Sequence, residues 1–525
     1  MNFHVSRRAT AWFLLAIPLF LSLPPAIHGP VNGHDEGIWL GTLQGLIDGK
    51  RLYRDIAFQY GPLAAFPLKV LSCNSTITLD NVRLTFWLMN VAGLTIVCLA
   101  ACGLLSSRRL QFFGVIFLSL VPFAAHVPAP MAARYGAGFL PALLWPNLAT
   151  GGAIGRKYII ACGSVAALAF WVSPEVGVAA VISTGFLCLA GEPNYRRAAE
   201  YALGVGLVIG AGVAILMALG MWRGFRFSVI VDNARLVGEQ RLPFPSWHPE
   251  FWAQASAGRR SWLDPWLNLA IVSAVYLPTM TYTGALLAYR RLRLHPTGRL
   301  ALGMALYGLL AQVSTFGRSD IWHIYFAVSP VFLVWLLLLD ARQPLSSQGT
   351  IRWQLAYIIA AAAMTLPLFA AHHRQQQILS TVDRSSALPR LGHSQVPDAQ
   401  ARGFEYLADW IAKHTSVGQP FLFYPYNGAI YFLVNRPNPT RYPLLINTMN
   451  EPGEQAEVIR DLAAQNVRWI VWDQRDTVFS SAPIGQLLGV IEQYIQSHYT
   501  RAGAMGDFEF WRRADETTIP TDRKM

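Results

Sequence analysis

Charge is what this sequence has least of. Only 14% of its 525 residues are Asp, Glu, Lys or Arg, where soluble domains carry roughly 25%. With 53% hydrophobic residues, a mean hydropathy of +0.33 and recurring long apolar runs, the shortfall argues against a large soluble protein and for a polytopic membrane protein. Cysteine is scarce as well: Cys73, Cys98, Cys102, Cys162 and Cys188. Four lie in apolar runs and none has metal-like spacing, so they read as small buried hydrophobes rather than disulfide partners. There is no phosphate-binding P-loop, dinucleotide fingerprint, Ser-His-Asp order signal or zinc spacing. The glycines of "GLVIGAG" fall inside an apolar run and read as helix packing. A formal charge of +12 sits mostly in short clusters between apolar runs, so membrane topology explains it more simply than a nucleic-acid partner does.

What is present is a series of apolar spans. The first, "AWFLLAIPLFLSLPPAIHG", follows Arg7 and Arg8 but lacks a small-x-small cleavage site, so it reads as an uncleaved helix with a cytoplasmic N-terminus. Further spans are expected near 83–105, 110–126, 135–151, 158–172, 176–190, 200–220, 266–288, 300–316, 324–340 and 353–371. At roughly 20 apolar residues per span this gives about eleven transmembrane helices. The basic loops "SSRRL", "GRK", "NYRR", "YRRLRLHPTGR" and "DARQ" all fall on the cytoplasmic side. The outer side then holds residues 28–82, the "HVPAPMAARYG" turn, "SPE", residues 221–265, "GRSDIWH" and the tail from 372. In the tail, "GFEYLADWIAKHT" and "GEQAEVIRDLAAQNV" read as helices, while "PFLFYP", "RWIVWD" and "DFEFW" read as strands. The expected fold is mainly α: a polytopic membrane helix bundle (1–372) with an outer catalytic loop at 28–82, a linker (373–400) and a small extracytoplasmic α/β domain (401–525). No internal repeat is evident, which disfavours an inverted-repeat transporter.

The candidate chemistry sits in the outer loops. In "NGHDEGIWLGTLQGLIDGKRLYRDIAFQYGP", Asp35 and Glu36 open a short helix just outside the first span. Acids there suit the positive end of the helix dipole, and equally a general base or metal ligand at the mouth of the bundle. Ile38, Leu43, Leu46 and Ile47 along one side suggest a helix lying on the bilayer surface. Arg54, Asp55, Gln59 and Tyr60 crowd further polar groups into the loop. In "WVSPEVG", Glu175 either caps the next helix or reaches the same outer cavity as Asp35. "FGRSDIWHIYF" interrupts two apolar runs with Arg318, Asp320 and His323, and charges beside a span are often functional. The Arg- and Trp-rich loop at 221–265 suits lipid phosphates, sugar faces or a plain interfacial anchor. "NRPNPTRYPLL", with Arg436 and Arg441, reads as a proline-held loop or an acceptor-recognition segment.

The Asp-Glu pair after the first span, followed by "LYRDIAFQYGPL", resembles the polytopic glycosyltransferases of the GT-C class. The likeness is to the bacterial branch typified by the RgtA/B/C/D-like and dolichyl-phosphate-mannose-protein mannosyltransferase-like families. It covers the membrane part and is densest in the first outer loop. It implies transfer of a sugar from a polyprenyl-phosphate donor, on the outer face of the membrane, to a glycan, lipid or protein acceptor. By the same resemblance Asp35 is the leading candidate base, with Glu36 second, supporting it electrostatically or binding a metal. Arg54 and Arg318 are the candidate donor-phosphate ligands. Asp55, Tyr60, Glu175, Asp320 and His323 are candidate supporting residues. Some members of the class use a divalent metal (Mg or Mn) and others do not, which the sequence leaves open. The expected location is a bacterial inner membrane, in contact with membrane lipids. Two rival classes are a transporter or flippase of a lipid-linked glycan, which predicts charges deep inside several helices, and a non-catalytic scaffold.

Overall fold

The computed structural model describes residues 23, 26–124, 129–150, 154–190, 194–239, 264–313, 321–342, 384–385, 387–425, 427–448, 451–474 and 484–514. Over these residues the chain is mostly helical, with one four-stranded sheet and a two-stranded ribbon. The first outer loop holds α1 (Asp35–Ile47) and α2 (Pro62–Leu71). The bundle follows with α3 (Leu79–Leu104), α4 (Arg108–Ala124), α5 (Met131–Phe139), α6 (Arg156–Val172), α7 (Pro174–Leu189) and α8 (Tyr195–Ala218). After α9 (Asp232–Glu239) it resumes with α10 (Asp264–Leu287), α11 (Pro296–Ala311) and α12 (Ile321–Arg342).

Among the described residues, α3 and α8 are long and apolar enough to cross a membrane by length and composition. α8 turns Leu207, Ile215 and Met217 outward, each more than half exposed. An apolar helix with such an outward face is at rest against hydrocarbon rather than water. The span expected near 135–151 is instead broken into α5, a 3₁₀ turn at Leu140–Leu143 and a short helix at Trp145–Ala149. Pro141 and Pro146 explain the breaks, since each lacks the backbone donor that a continuous helix needs. Most of the first expected span, and all of the last at 353–371, lie outside the described residues.

The outer tail forms the sheet β3-β4-β6-β5. Its strands are β3 (Leu422–Tyr424), β4 (Trp469–Asp473), β5 (Tyr499–Met505) and β6 (Phe508–Arg513). β3 and β4 run parallel, which requires a crossover, and α15 (Pro452–Ala464) lies within it after α14 (Gly428–Leu433). The other two pairings are antiparallel. α13 (Asp398–His414) and α16 (Gly489–His498) complete the layer. Before α13, β1 (Arg384–Ser385) pairs with β2 (Gln395–Val396). This stretch, expected to be linker, is tied to the first outer loop: the Gly29 N–H donates to the Gln395 carbonyl at 2.8 Å and Ser394 Oγ to the Ile27 carbonyl at 3.0 Å.

α1 is the joint between the two parts. The expectation of a helix lying on the bilayer is overturned, because every residue from Glu36 to Leu46 is buried. The sequence reason is a glycine at every fourth position, Gly37, Gly41 and Gly45, which strips one face of side chains and lets another backbone approach. Gly428 of α14 takes that place: a Cβ on Gly37 would lie 3.2 Å from the Gly428 nitrogen, and one on Gly428 would collide with the Gly37 carbonyl. Trp39, Leu40 and Leu43 enter one continuous core with Phe421, Phe423 and Phe432 of the outer domain. Fully buried leucines such as Leu40 and Leu43 contribute about 1.5–3 kcal/mol each, so α1 is held in place by the domain above it.

Candidate active site

The first turn of α1 is set by Asn32. Its Oδ1 accepts from the backbone N–H groups of His34 and Asp35, both at 2.9 Å, satisfying donors that a helix start leaves open. Its Nδ2 donates to Asp35 Oδ2 at 3.2 Å. The other Asp35 oxygen is 4.0 Å from His34 Nε2, and 41% of the Asp35 side chain is exposed. A carboxylate with one modest donor and an open face is suited to accept a proton.

Glu36 has the opposite environment. Arg83 Nε donates to its Oε1 at 2.6 Å and Arg83 Nη2 to its Oε2 at 2.9 Å, and the Glu36 side chain is fully buried. The remaining Arg83 donors go to the carbonyls of Ile27, Gly29 and Pro30. All five N–H groups of the guanidinium are thereby used. The expectation that Glu36 assists catalysis or binds a metal is corrected, because both its oxygens are taken and no solvent reaches it. It anchors the loop that carries Asp35. Arg83 was not anticipated, although an arginine at the start of an apolar span is itself a sign that a buried partner exists.

Along α1, Trp39 lies one turn beyond Asp35 on the same face. Its ring stacks on Tyr60 at 5.0 Å, with Phe58 and Phe86 edge-on to it. On Tyr60 rests the guanidinium of Arg134, 4.2 Å from the ring centre, a favourable cation–π placement. Arg134 comes from α5, in the "MAARYG" turn, and donates through Nε to Ser173 Oγ at 3.1 Å and through Nη2 to Glu175. Its Nη1 meets only the Met131 sulfur, at 3.3 Å, a weak acceptor. Ser173 Oγ in turn donates to Glu175 Oε1 at 2.6 Å. Glu175 does both things its place in "SPE" allows: its carboxylate accepts from its own backbone N–H in the first turn of α7 and pairs with Arg134, while Ser173 makes no side-chain cap bond and its hydroxyl serves that pair. Asp35 and Glu175 both lie within electrostatic reach of Tyr60. Three separate segments, 28–82, 129–136 and 173–175, thus meet around one ring.

Arg54 and Asp55 stand apart from this cluster. Arg54 and Asp55 pair with each other at 3.7 Å in an exposed turn. That turn follows the C-terminal end of α1, about 18 Å from Asp35 by helical rise over a 13-residue helix. Arg318 and Asp320 lie outside the described residues, and His323 belongs to the first turn of α12. A divalent cation does not fit the pair proposed for it, because Glu36 is consumed by Arg83. Among the described residues no group of three or more His, Cys, Asp or Glu side chains is placed to hold a metal ion.

A second charged cluster ties α9 to the outer domain. Arg235 pairs with Asp232 at 3.1 Å, Glu451 at 3.4 Å and Glu454 at 3.1 Å. Burial, and then the neighbouring Glu454 charge, push the Asp232 carboxyl up to about 7.

No protein-family model and no curated protein matches the sequence. Among solved structures, the chain is similar to the apo oligosaccharyltransferase of Archaeoglobus fulgidus, with 11% identity, TM-score 0.48, and 98% of this chain and 75% of that one covered. It is similar to the oligosaccharyltransferase AglB of the same organism in complex with an inhibitory peptide and a dolichol-phosphate, with 12% identity, TM-score 0.44 and the same coverage. It is also similar to the mycobacterial arabinofuranosyltransferase AftD, with 13% identity, TM-score 0.48, and 97% of this chain and 42% of that one covered.

Proposed function

We propose that this chain is an integral membrane glycosyltransferase that moves a sugar from a polyprenyl-phosphate donor to an acceptor hydroxyl on the outer face of the membrane, in a bacterial inner membrane. The observation that carries the reading is the face shared by Asp35, Trp39, Tyr60, Arg134 and Glu175. It sets an open carboxylate on one side of an aromatic floor and a held guanidinium on the other.

The chemistry is a single displacement. Asp35 takes the proton of the acceptor hydroxyl as its oxygen bonds to the anomeric carbon. The bond from that carbon to the phosphate oxygen breaks, and the polyprenyl phosphate leaves with the electron pair. Arg134 stabilises the charge growing on it with its guanidinium N–H groups. Tyr60 and Glu175 are positioning residues, one under the guanidinium plane and the other at its edge. In this role Arg134 replaces Arg54, which stands at the far end of α1. Attack opposite the departing phosphate inverts the anomeric configuration. A polyprenyl chain stays in the bilayer while its phosphate sits at the interface, so a site at the mouth of the bundle meets both.

The test is sugar transfer in proteoliposomes, with a panel of labelled polyprenyl-phosphate sugars and membrane-extract acceptors. The reading expects label in an acceptor and free polyprenyl phosphate in equal amount. Labelled lipid that crosses the bilayer intact, with no transfer, would instead identify a flippase.

A further inference from the structure

Tyr307 of α11 is 1% exposed, and its hydroxyl is buried without a hydrogen-bond partner among the described residues. Its ring packs edge-on against Phe139 at 5.3 Å. The hydroxyl presses on Gly138 so closely that a Cβ there would collide with it and with the Val176 side chain. Gly138 lies one turn beyond Arg134 on α5, and Val176 is next to Glu175 on α7. Tyr135, Glu175 and Tyr282 are ionisable groups within electrostatic reach of Tyr307. The hydroxyl thus packs at Gly138, between the helices that carry Arg134 and Glu175.

A phenylalanine would fill the same space without a polar group to bury, and leaving a buried hydroxyl unpaired is costly. Such a group is accounted for if its partner arrives in another state of the site. The ligand-free pair shows which partner that is. Glu175 holds Arg134 now, together with Ser173. A phosphate that recruits the guanidinium draws those N–H donors away from Glu175. At the same moment the lipid and sugar displace the water that reaches the 39% of the Glu175 side chain now exposed. The carboxylate then needs donors from the protein, and Ser173 and the Glu175 backbone N–H supply two where a carboxylate can accept about four.

We propose that Tyr307 is a positioning residue for the donor-bound state, its hydroxyl donating to Glu175 when a lipid-linked phosphate engages Arg134. The assignment rests on the polyprenyl-phosphate reading above. It makes Glu175 a counter-ion that changes partner with the catalytic cycle, so that Arg134 is released to phosphate without stranding a carboxylate.

The experiment titrates the full-length, detergent-purified protein with a short-chain polyprenyl phosphate, comparing wild type, Tyr307→Phe, Glu175→Gln and the double variant. Melting temperatures are taken without ligand. Tyr307→Phe should melt at or above the wild-type temperature, since only an unpaired hydroxyl is lost, yet bind the lipid phosphate about tenfold more weakly. In the Glu175→Gln background the same change should have little further effect on binding. Equal affinity of wild type and Tyr307→Phe overturns the proposal, as does the same loss in both backgrounds. If wild type binds no polyprenyl phosphate, the donor reading falls and takes this one with it. Binding by wild type with no effect of Tyr307→Phe removes Tyr307 alone.

Discussion

Asp35 and Glu36 are adjacent in sequence and opposite in environment. The Glu36 carboxylate is sealed in the fork of Arg83, whose Nε donates at 2.6 Å, while Asp35 keeps 41% of its side chain open beside a single Asn32 donor. One acid fixes the loop and the other is free to react.

Glu36→Gln leaves Arg83 as a buried cation without its counter-ion and with one of its five hydrogen bonds lost. Removing one member of such a pair costs about 3–5 kcal/mol. The variant is expected to lose that much stability, seen as a lower melting temperature and poorer recovery in detergent. A Glu36→Gln protein that melts like wild type but transfers no sugar would return Glu36 to the chemistry.

The glycine contact between α1 and α14 gives a second expectation. A Cβ on Gly428 has no room against the Gly37 carbonyl, and overpacking of this kind costs about 1–3 kcal/mol. Gly428→Ala should loosen the outer domain from the membrane part and raise protease cleavage between them. Unchanged protease resistance would mean the contact carries no docking energy.

α9 and the outer domain should respond to pH. The Asp232 carboxyl, ordinarily near 3.8, is held up at about 7 by burial and then by Glu454. An acid raised in this way binds more protons folded than unfolded between those values, so folding stability falls as pH rises from about 4 to 7 and levels off above. The change is about 1–4 kcal/mol. Melting temperatures across pH 4.5–8 should show the slope, and Asp232→Asn should flatten it. Burial also raises Glu454, which leaves a smaller slope behind. An identical slope in the Asn variant would contradict the assignment.

Arg134→Lys keeps the charge but loses the planar fork that reaches Ser173 and Glu175 while lying on Tyr60. Donor KM is expected to rise ~10–100-fold with melting little changed. Retained donor KM would move the phosphate contact elsewhere, with Arg318 the next candidate.

Local pattern was enough for the outer domain: "PFLFYP" and "RWIVWD" are the buried strands they read as. β5 was not legible, since "YTRAGAM" is an exposed edge strand with little apolar alternation. α1 was read as a helix correctly, but its apolar residues suggested a membrane surface. The glycine stripe at 37, 41 and 45 carried the better signal, that of a helix packed against a backbone. Tyr60 and Glu175 meet at Arg134, with Asp35 within electrostatic reach of Tyr60, yet in the sequence Arg134 is only part of a turn. Its partners lie 41 and 74 residues away in sequence, at Glu175 and Tyr60, and no local spacing encodes such a meeting. Arg54 shows the converse: close to Asp35 in sequence, it is carried off by the length of α1.

The most direct test of the account compares wild type and Asp35→Asn for sugar transfer in proteoliposomes, at matched reconstitution and melting temperature. The account predicts that transfer falls at least about 100-fold in Asp35→Asn, as expected when a general base is removed, while binding of polyprenyl phosphate is retained. Equal transfer by the two proteins would contradict it and take Asp35 out of the mechanism.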